Sequence, residues 1–435
     1  NQGSACMALK ICVIGLWHLG CMLSSCMARK HSVVAFDPEH NTVEALKRGE
    51  PPIFEPGLAE AISKEVTSGK LRFEESLQKA VEGAEVIWFA FDLPVNENDE
   101  PQTGVLESAF SGVLSAGAKP QAFLVSSQVP IGTCRKLCEE GKKATGAELF
   151  YVPENLRLGN AIEGFFSQDR VVIGTPDGSK PAIIESILEG IEGERIVLDL
   201  ESAEMAKHAM NSYLALMISF SGEISDICEA CGADAIKVMD ALKKEERVSP
   251  NAPLSPGLGF GGGTLARDLQ ALRAAARGKG MKTFVLDAAL ESNNQRKGYV
   301  KRRLESALGS LDGKTVSFLG LTYKPNTDTL RRSLALEIID GLAATGVKMR
   351  AYDPAIKKLE GEHPFSLCAS AEDAFSGADA VVITTAWPEF LSLDFSRLVP
   401  TMRTRVILDA RNMLAGKEFP VQTKYYGVGV NRGKA

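Results

Sequence analysis

Lys10-Ile-Cys-Val-Ile-Gly-Leu-Trp-His-Leu-Gly20 runs from a short apolar stretch rich in β-formers, through a turn bounded by glycines, into an apolar helical stretch, and Asp37 closes the next β-rich run 22 residues after Gly15. That order of strand, glycine turn, helix, strand and acid is the pattern of a dinucleotide-binding βαβ unit. The helix N-terminus takes the pyrophosphate, and the acid takes the ribose hydroxyls. Gly15, Trp17, His18, Leu19, Gly20 and Asp37 are therefore candidate cofactor residues, and an acid at Asp37 favours NAD over NADP. Trp17 departs from the pattern. It stands where a second glycine would let the pyrophosphate approach the backbone, so its indole must point away or reshape the site.

The alternation continues outward from this unit. Strand candidates at 11–15, 32–37, 86–91, 123–126 and 171–174 are separated by amphipathic helical stretches, which implies a parallel sheet covered on both faces. The rhythm then changes. Residues 201–230 form one long helical pattern with Met205, Ala209, Tyr213, Met217 and Phe220 at three- and four-residue spacings, closed by Gly232, and a second helix follows at 234–242. Residues 245–263 are rich in Pro and Gly and read as a structured loop; helices are expected at 265–277 and 284–307. Strand and helix alternate again from Lys314, with strand candidates at 316–319, 348–352, 380–384 and 405–408. The expected fold class is α/β: two Rossmann-like domains with parallel sheets joined by a long central helix and helical region. The division is 1–200 for the cofactor domain, 201–311 for the helical region and 312–435 for a second α/β domain.

Composition agrees with a globular chain of more than one core: 435 residues, 45% hydrophobic, 24% charged, 40 Gly and 20 Pro. A net charge of -6 gives no electrostatic reason to expect nucleic acid or an anionic membrane as partner. The apolar stretch at 11–28 is broken by Gly15, Trp17, His18 and Gly20, so it reads as a buried βα unit and not as an anchor. Nine cysteines at irregular positions suit a reducing, cytoplasmic setting. Cys228 and Cys231 form a lone CxxC inside a helical pattern with no second pair, which favours packing over a metal, and no metal site is expected.

Four further segments carry chemistry. These are Pro153-Glu-Asn-Leu-Arg-Leu-Gly-Asn-Ala-Ile162, the pair Lys207 and Asn211 four apart in the long helix, Gly259-Phe-Gly-Gly-Gly-Thr-Leu-Ala-Arg-Asp268, and Leu321-Thr-Tyr-Lys-Pro-Asn-Thr-Asp328. Together with Pro52-Ile-Phe-Glu-Pro-Gly-Leu58 and Asp353 they resemble the UDP-glucose/GDP-mannose 6-dehydrogenase family over nearly all of 10–415. The resemblance implies roles residue by residue. Glu154, Gln128 and Arg331 match positions that meet the cofactor. Lys207 and Asn211 match the donors that stabilise a substrate oxyanion, and Asp268 matches the acid–base aspartate. Asn155, Leu156, Arg157, Lys207, Arg247, Leu254, Ser255, Phe260, Gly261, Lys324 and Arg411 match the positions that hold a sugar nucleotide, most readily a UDP-sugar. The family also implies a homodimer through the central helical region.

The departures from that family decide the chemistry. Thr264 stands in place of the nucleophilic cysteine, Leu158 in place of a second glutamate, Gln128 in place of a hydroxyl and Arg332 in place of a glutamate. An unassisted alcohol is almost wholly protonated, whereas a thiol ionises near neutrality, so Thr264 cannot carry a covalent thioester route to an acid. Hydride transfer needs no thiol. The reading is an NAD-dependent sugar-nucleotide oxidoreductase limited to two-electron oxidation, or to oxidation followed by re-reduction. Two alternatives stay open: a non-catalytic sugar-nucleotide binder or regulatory protein, and an ordinary four-electron dehydrogenase with a non-standard nucleophile such as Cys134 or Cys138.

Overall fold

The computed structural model describes residues 8–96, 101–154, 156, 159–261 and 263–430. Asn155, Arg157 and Leu158 lie outside the described residues, as does Gly262. The chain forms two compact units, one of residues 1–209 with 270–275 and one of residues 210–269 with 276–435. Among the described residues no helix is long and apolar enough to cross a membrane.

The first unit is built on eight strands: β1 (Lys10–Ile14), β2 (Ser32–Phe36), β3 (Leu71–Glu74), β4 (Val86–Phe89), β5 (Ala122–Val125), β6 (Glu148–Tyr151), β7 (Arg170–Thr175) and β8 (Glu194–Asp199), in the order β3-β2-β1-β4-β5-β6-β7-β8. β1 to β6 pair in parallel, while β7 pairs antiparallel to β6 and carries β8 with it, so the sheet is not wholly parallel. Val86-Ile-Trp-Phe89 and Ala122-Phe-Leu-Val125 are buried at every position, as a sheet covered on both faces requires. The order reverses direction between β1 and β4. That reversal opens a crevice outside the carboxyl ends of those strands.

The second unit repeats the plan with β9 (Thr315–Leu319), β10 (Lys348–Tyr352), β11 (Phe365–Leu367), β12 (Ala380–Ile383), β13 (Val406–Asp409) and β14 (Lys424–Gly427), all parallel, in the order β11-β10-β9-β12-β13-β14. The central helix Leu200–Cys231 has 32 residues, about 48 Å of rise. After it come Ala235–Lys243, whose Asp234 cap accepts from Ile236 and Lys237, and Leu265–Arg277.

Every expected strand falls on an observed one, but β3, β6, β8, β11 and β14 were not legible. Four of the five lie at sheet edges, where one side of the strand is unpaired and the apolar signal thins, as in the half-exposed Glu194–Asp199. The helix expected at 284–307 is two helices, Phe284–Arg296 and Tyr299–Leu308, interrupted at Lys297 and Gly298. The apolar repeat read along the central helix is not wholly a core face: Met205, Tyr213 and Phe220 are exposed.

Candidate active site

At the end of β1, Gly15 adopts φ +96° and donates its amide to the Phe36 carbonyl at 3.0 Å, which ties the turn to β2. A Cβ on Gly20 would lie 1.7 Å from the Gly15 carbonyl oxygen, so only glycine lets the helix His18–Met27 start this close to the strand. Trp17 is the N-cap of that helix and makes no side-chain cap bond, which leaves the first-turn amides available to an anion. Its side chain is 45% exposed. Asp37 accepts the Leu16 amide on Oδ2 and the Glu39 amide on Oδ1, both at 3.0 Å. Each oxygen keeps a lone pair for a ribose hydroxyl. These residues fit a dinucleotide at Gly15, Gly20 and Asp37; the indole of Trp17 is the feature that departs. Gln128 is buried in the segment after β5, where Ser126 accepts from Trp88 Nε1 at 2.8 Å and donates to the Val152 carbonyl at 2.5 Å.

The loop leaving β6 is held from two sides. Lys207 Nζ donates to the Glu154 carbonyl at 2.5 Å, and the Glu154 carboxylate accepts the Leu156 amide at 2.5 Å. Lys207 is only 6% exposed, so it is not the solvated helix charge that its residue type alone would suggest. At the far end of the loop the buried Glu55 carboxylate accepts the Gly159 amide at 2.9 Å and the Ala161 amide at 2.8 Å, and His18 Nε2 lies 3.1 Å from it.

Two neighbours on the central helix escaped notice in the sequence. Glu204 accepts the amides of Gly132 and Cys134 at 2.5 and 2.8 Å, and His208 Nε2 lies 2.7 Å from the Val129 carbonyl, so both fix the helix to the segment after β5. The signal was present: Glu204, Lys207, His208 and Asn211 recur at three- and four-residue spacing, which puts them on one face of the helix. Burial raises the Glu204 carboxyl above its ordinary value, although the Cys134 and Gly132 amides oppose the rise. Burial and the nearby Glu204 charge push the Cys134 thiol well up, and burial raises Cys138. Neither is a thiolate at neutral pH, so neither substitutes for a missing nucleophile.

In the second unit Asn211 donates through Nδ2 to the Asp268 carboxylate, and the two are 4% and 0% exposed. Asp268 sits in the first turn of Leu265–Arg277, where its amide closes onto the Thr264 carbonyl at 3.1 Å. Thr264 itself is exposed. The preceding loop is clamped by residues not singled out in the sequence. Asn293 accepts the Phe260 amide at 2.8 Å and donates to the Phe260 carbonyl at 3.0 Å, while Arg296 Nε donates to the Gly257 carbonyl at 2.8 Å. Gly259, at φ +93°, lies so near that a Cβ would meet Asn293 Oδ1 at 2.4 Å. Leu254 and Phe260 are buried, Gly261 is half-buried and Ser255 is exposed.

The basic residues divide. Arg411 follows β13 and donates Nε to the Thr384 carbonyl at 2.6 Å; burial lowers its guanidinium below the ordinary value. Lys324 follows β9 and is half-buried. Arg331 is exposed, and its neighbour Arg332 takes φ +53°, a conformation that β-carbon residues rarely hold without local compensation. Arg247 stands apart, 88% exposed in its side chain and paired at 2.7 Å with Glu245. Asp353 occupies the place in this unit that Asp37 holds in the first, since its Oδ2 accepts the Leu321 amide at 2.7 Å. It is fully buried, and the same oxygen also receives Thr322 Oγ1 at 3.0 Å and Trp387 Nε1 at 3.1 Å. That oxygen is saturated and the carboxylate is out of reach of solvent, so this sheet does not present a ribose site like the first.

Comparison with known proteins accounts for most of the chain. Residues 9–192 match the NAD binding domain of the UDP-glucose/GDP-mannose dehydrogenase family, residues 201–295 its central domain and residues 317–416 its UDP binding domain. The UDP-glucose 6-dehydrogenase TuaD of Bacillus subtilis is 33% identical over 421 residues, covering 94% of this chain and 90% of that one. The UDP-glucose 6-dehydrogenase of Rhizobium meliloti is 32% identical over 423 residues, covering 93% and 95%. Among solved structures, a UDP-glucose dehydrogenase from the hyperthermophilic archaeon Pyrobaculum islandicum superposes with a TM-score of 0.89 at 30% identity, covering 99% of each chain. With a dinucleotide turn, a matching central helix and a second α/β unit all in place, the chain belongs to the UDP-glucose/GDP-mannose dehydrogenase family and is an NAD-dependent oxidoreductase.

Proposed function

We propose that this protein oxidises a UDP-sugar by two electrons and stops at the carbonyl, or returns the hydride to give an epimer. The observation that carries the proposal is Thr264: an exposed alcohol where a thiol would be needed, four residues before the buried Asp268 that Asn211 holds. No histidine lies near Thr264 in sequence to activate it, and Cys134 and Cys138 are inert by burial. A thioester route to a carboxylate therefore lacks its nucleophile.

NAD, when bound at Gly15, Gly20 and Asp37, supplies the hydride acceptor. The chain's own residues do the remaining work. Asp268 takes the proton as the substrate O–H and C–H bonds break. Lys207 and Asn211, one turn apart on the central helix, donate to the oxygen as charge develops on it. Glu154 shapes the start of the loop on the cofactor side, and Leu156 belongs to its substrate side. Leu254, Phe260, Gly261, Lys324 and Arg411 hold the nucleotide diphosphate, with the loop set by Asn293 and Arg296. Arg247 and Ser255 are the weakest members of this set, since both are exposed.

A second copy of the chain is the partner we propose. Tyr213, Phe220 and Ile227 are exposed at 62%, 48% and 50% and follow one another at seven-residue intervals along the central helix, the repeat of a helix-to-helix seam. The 201–311 stretch would then serve both as dimer element and as carrier of the substrate loop, in the cytoplasm, where its free cysteines stay reduced.

The test is incubation of the protein with NAD and a panel of UDP-sugars, with products identified by mass. Loss of two mass units, or an isomer of unchanged mass, supports the proposal. A uronate product overturns it, and tight binding with no product favours the regulatory reading that Trp17 and Thr264 together motivate.

A further inference from the structure

Glu55 takes no part in the chemistry described so far, yet its side chain is fully buried and its hydrogen bonds all run to other segments. Oε2 faces His18 Nε2 at 3.1 Å, in the first turn of the helix that opens the dinucleotide site. The same oxygen accepts the Gly159 amide at 2.9 Å, and Oε1 accepts the Ala161 amide at 2.8 Å, at the end of the loop that begins at Glu154. The local sequence fixes the carboxylate. Pro56 restrains Glu55 to an extended backbone, and the Leu58 amide closes onto the Glu55 carbonyl at 3.1 Å. Gly57 at φ +77° then starts the helix Leu58–Thr67, whose first residue is wholly buried.

We infer that Glu55 is a positioning residue that couples the dinucleotide turn to the substrate loop, so that NAD and the sugar nucleotide bind cooperatively. One carboxylate serves both segments: a shift of the His18 turn on cofactor binding moves the acceptor that holds Gly159 and Ala161. Lys207 holds the other end of the same loop at the Glu154 carbonyl. Three donors demand two acceptor oxygens and negative charge, which explains an acid here. Glutamine would turn a donor toward one of them. The carboxyl also lies below its ordinary value: burial raises it, and His18 with the Ala161 and Gly159 amides more than offset that rise.

The inference rests on the reading that this site takes NAD and a UDP-sugar, and the test separates the two. NADH and UDP-glucose form a pair that cannot react, so calorimetry measures the UDP-glucose Kd with and without saturating NADH. Wild-type protein is expected to bind UDP-glucose about fivefold or more tightly with NADH present. Glu55→Gln is expected to reduce that ratio to near one while each ligand alone still binds. His18→Phe removes the cofactor-side contact of Glu55 and, with NADH held well above that variant's own measured Kd for it, is expected to abolish the ratio, which gives a result even if Glu55→Gln fails to fold. Wild-type protein that binds both ligands independently, or a His18→Phe variant that keeps the wild-type ratio, overturns the coupling. Failure of the wild type to bind either ligand overturns the proposed function, and the coupling with it.

Discussion

Replacing Lys207 by methionine separates a chemical role from a structural one. Methionine keeps most of the unbranched stem, so packing around a residue 6% exposed is nearly conserved. The lost bond leaves the Glu154 carbonyl without its Lys207 donor, a cost of about 1–3 kcal/mol. Against this stands relief from desolvating an ammonium, which is itself worth several kcal/mol in a buried setting. The net loss is therefore expected below about 2 kcal/mol, and at about 2–4 °C per kcal/mol for a unit of this size the Tm should fall by less than about 8 °C. Loss of an oxyanion donor costs far more in rate, about 100- to 1000-fold. The assay is kcat/KM from NADH formation with UDP-glucose, set beside a thermal melt. A fall of two orders of magnitude with a small Tm shift is the expected result. A fall below tenfold, or one that follows a Tm drop well beyond the stated range, would refute the assignment of Lys207 as a donor to the reacting oxygen.

Trp17→Gly should tighten NAD binding by about tenfold, near 1.4 kcal/mol, because it restores the close backbone approach at the helix N-terminus; unchanged NADH affinity by fluorescence would show that the indole already lies clear. Glu55 makes a pH-dependent contribution. Its folded-state pKa lies below the ordinary value of 4.5, so its stabilisation is complete above that pH and is lost as pH falls through the folded-state value. The stability gap between wild type and Glu55→Gln, about 1–3 kcal/mol at neutral pH, should close under acid in urea titrations; a gap that stays constant to pH 3 would contradict this. The double variant Tyr213→Glu and Phe220→Glu should run as a monomer by light scattering where the wild type runs as a dimer, and an unchanged mass would place any interface elsewhere.

The sequence carried the sheet centres because strands buried on both faces read as continuous apolar runs, as at Val86–Phe89. It carried Gly15, Gly20 and Asp37 because a tight strand-to-helix turn leaves glycine and acid at fixed spacing. Edge strands such as Phe365–Leu367 escaped, being short and paired on one side only. The site residues that escaped act across long sequence separation. Glu55 reaches Ala161 over 106 positions and Asn293 reaches Phe260 over 33, and no local pattern encodes such a bond. Arg247, which matches a substrate position of the family, is exposed and paired with its neighbour Glu245, a direction that its place in the sequence does not encode.

The number of hydrides released per sugar decides between two-electron and four-electron chemistry. Purified protein is incubated with excess NAD and a limiting amount of UDP-glucose, and NADH formed is divided by sugar consumed. Two-electron chemistry predicts a ratio of one with a carbonyl product, or no net NADH with an epimer. A ratio of two with UDP-glucuronate would show that the chain makes an acid without a cysteine at Thr264 and would contradict the central claim.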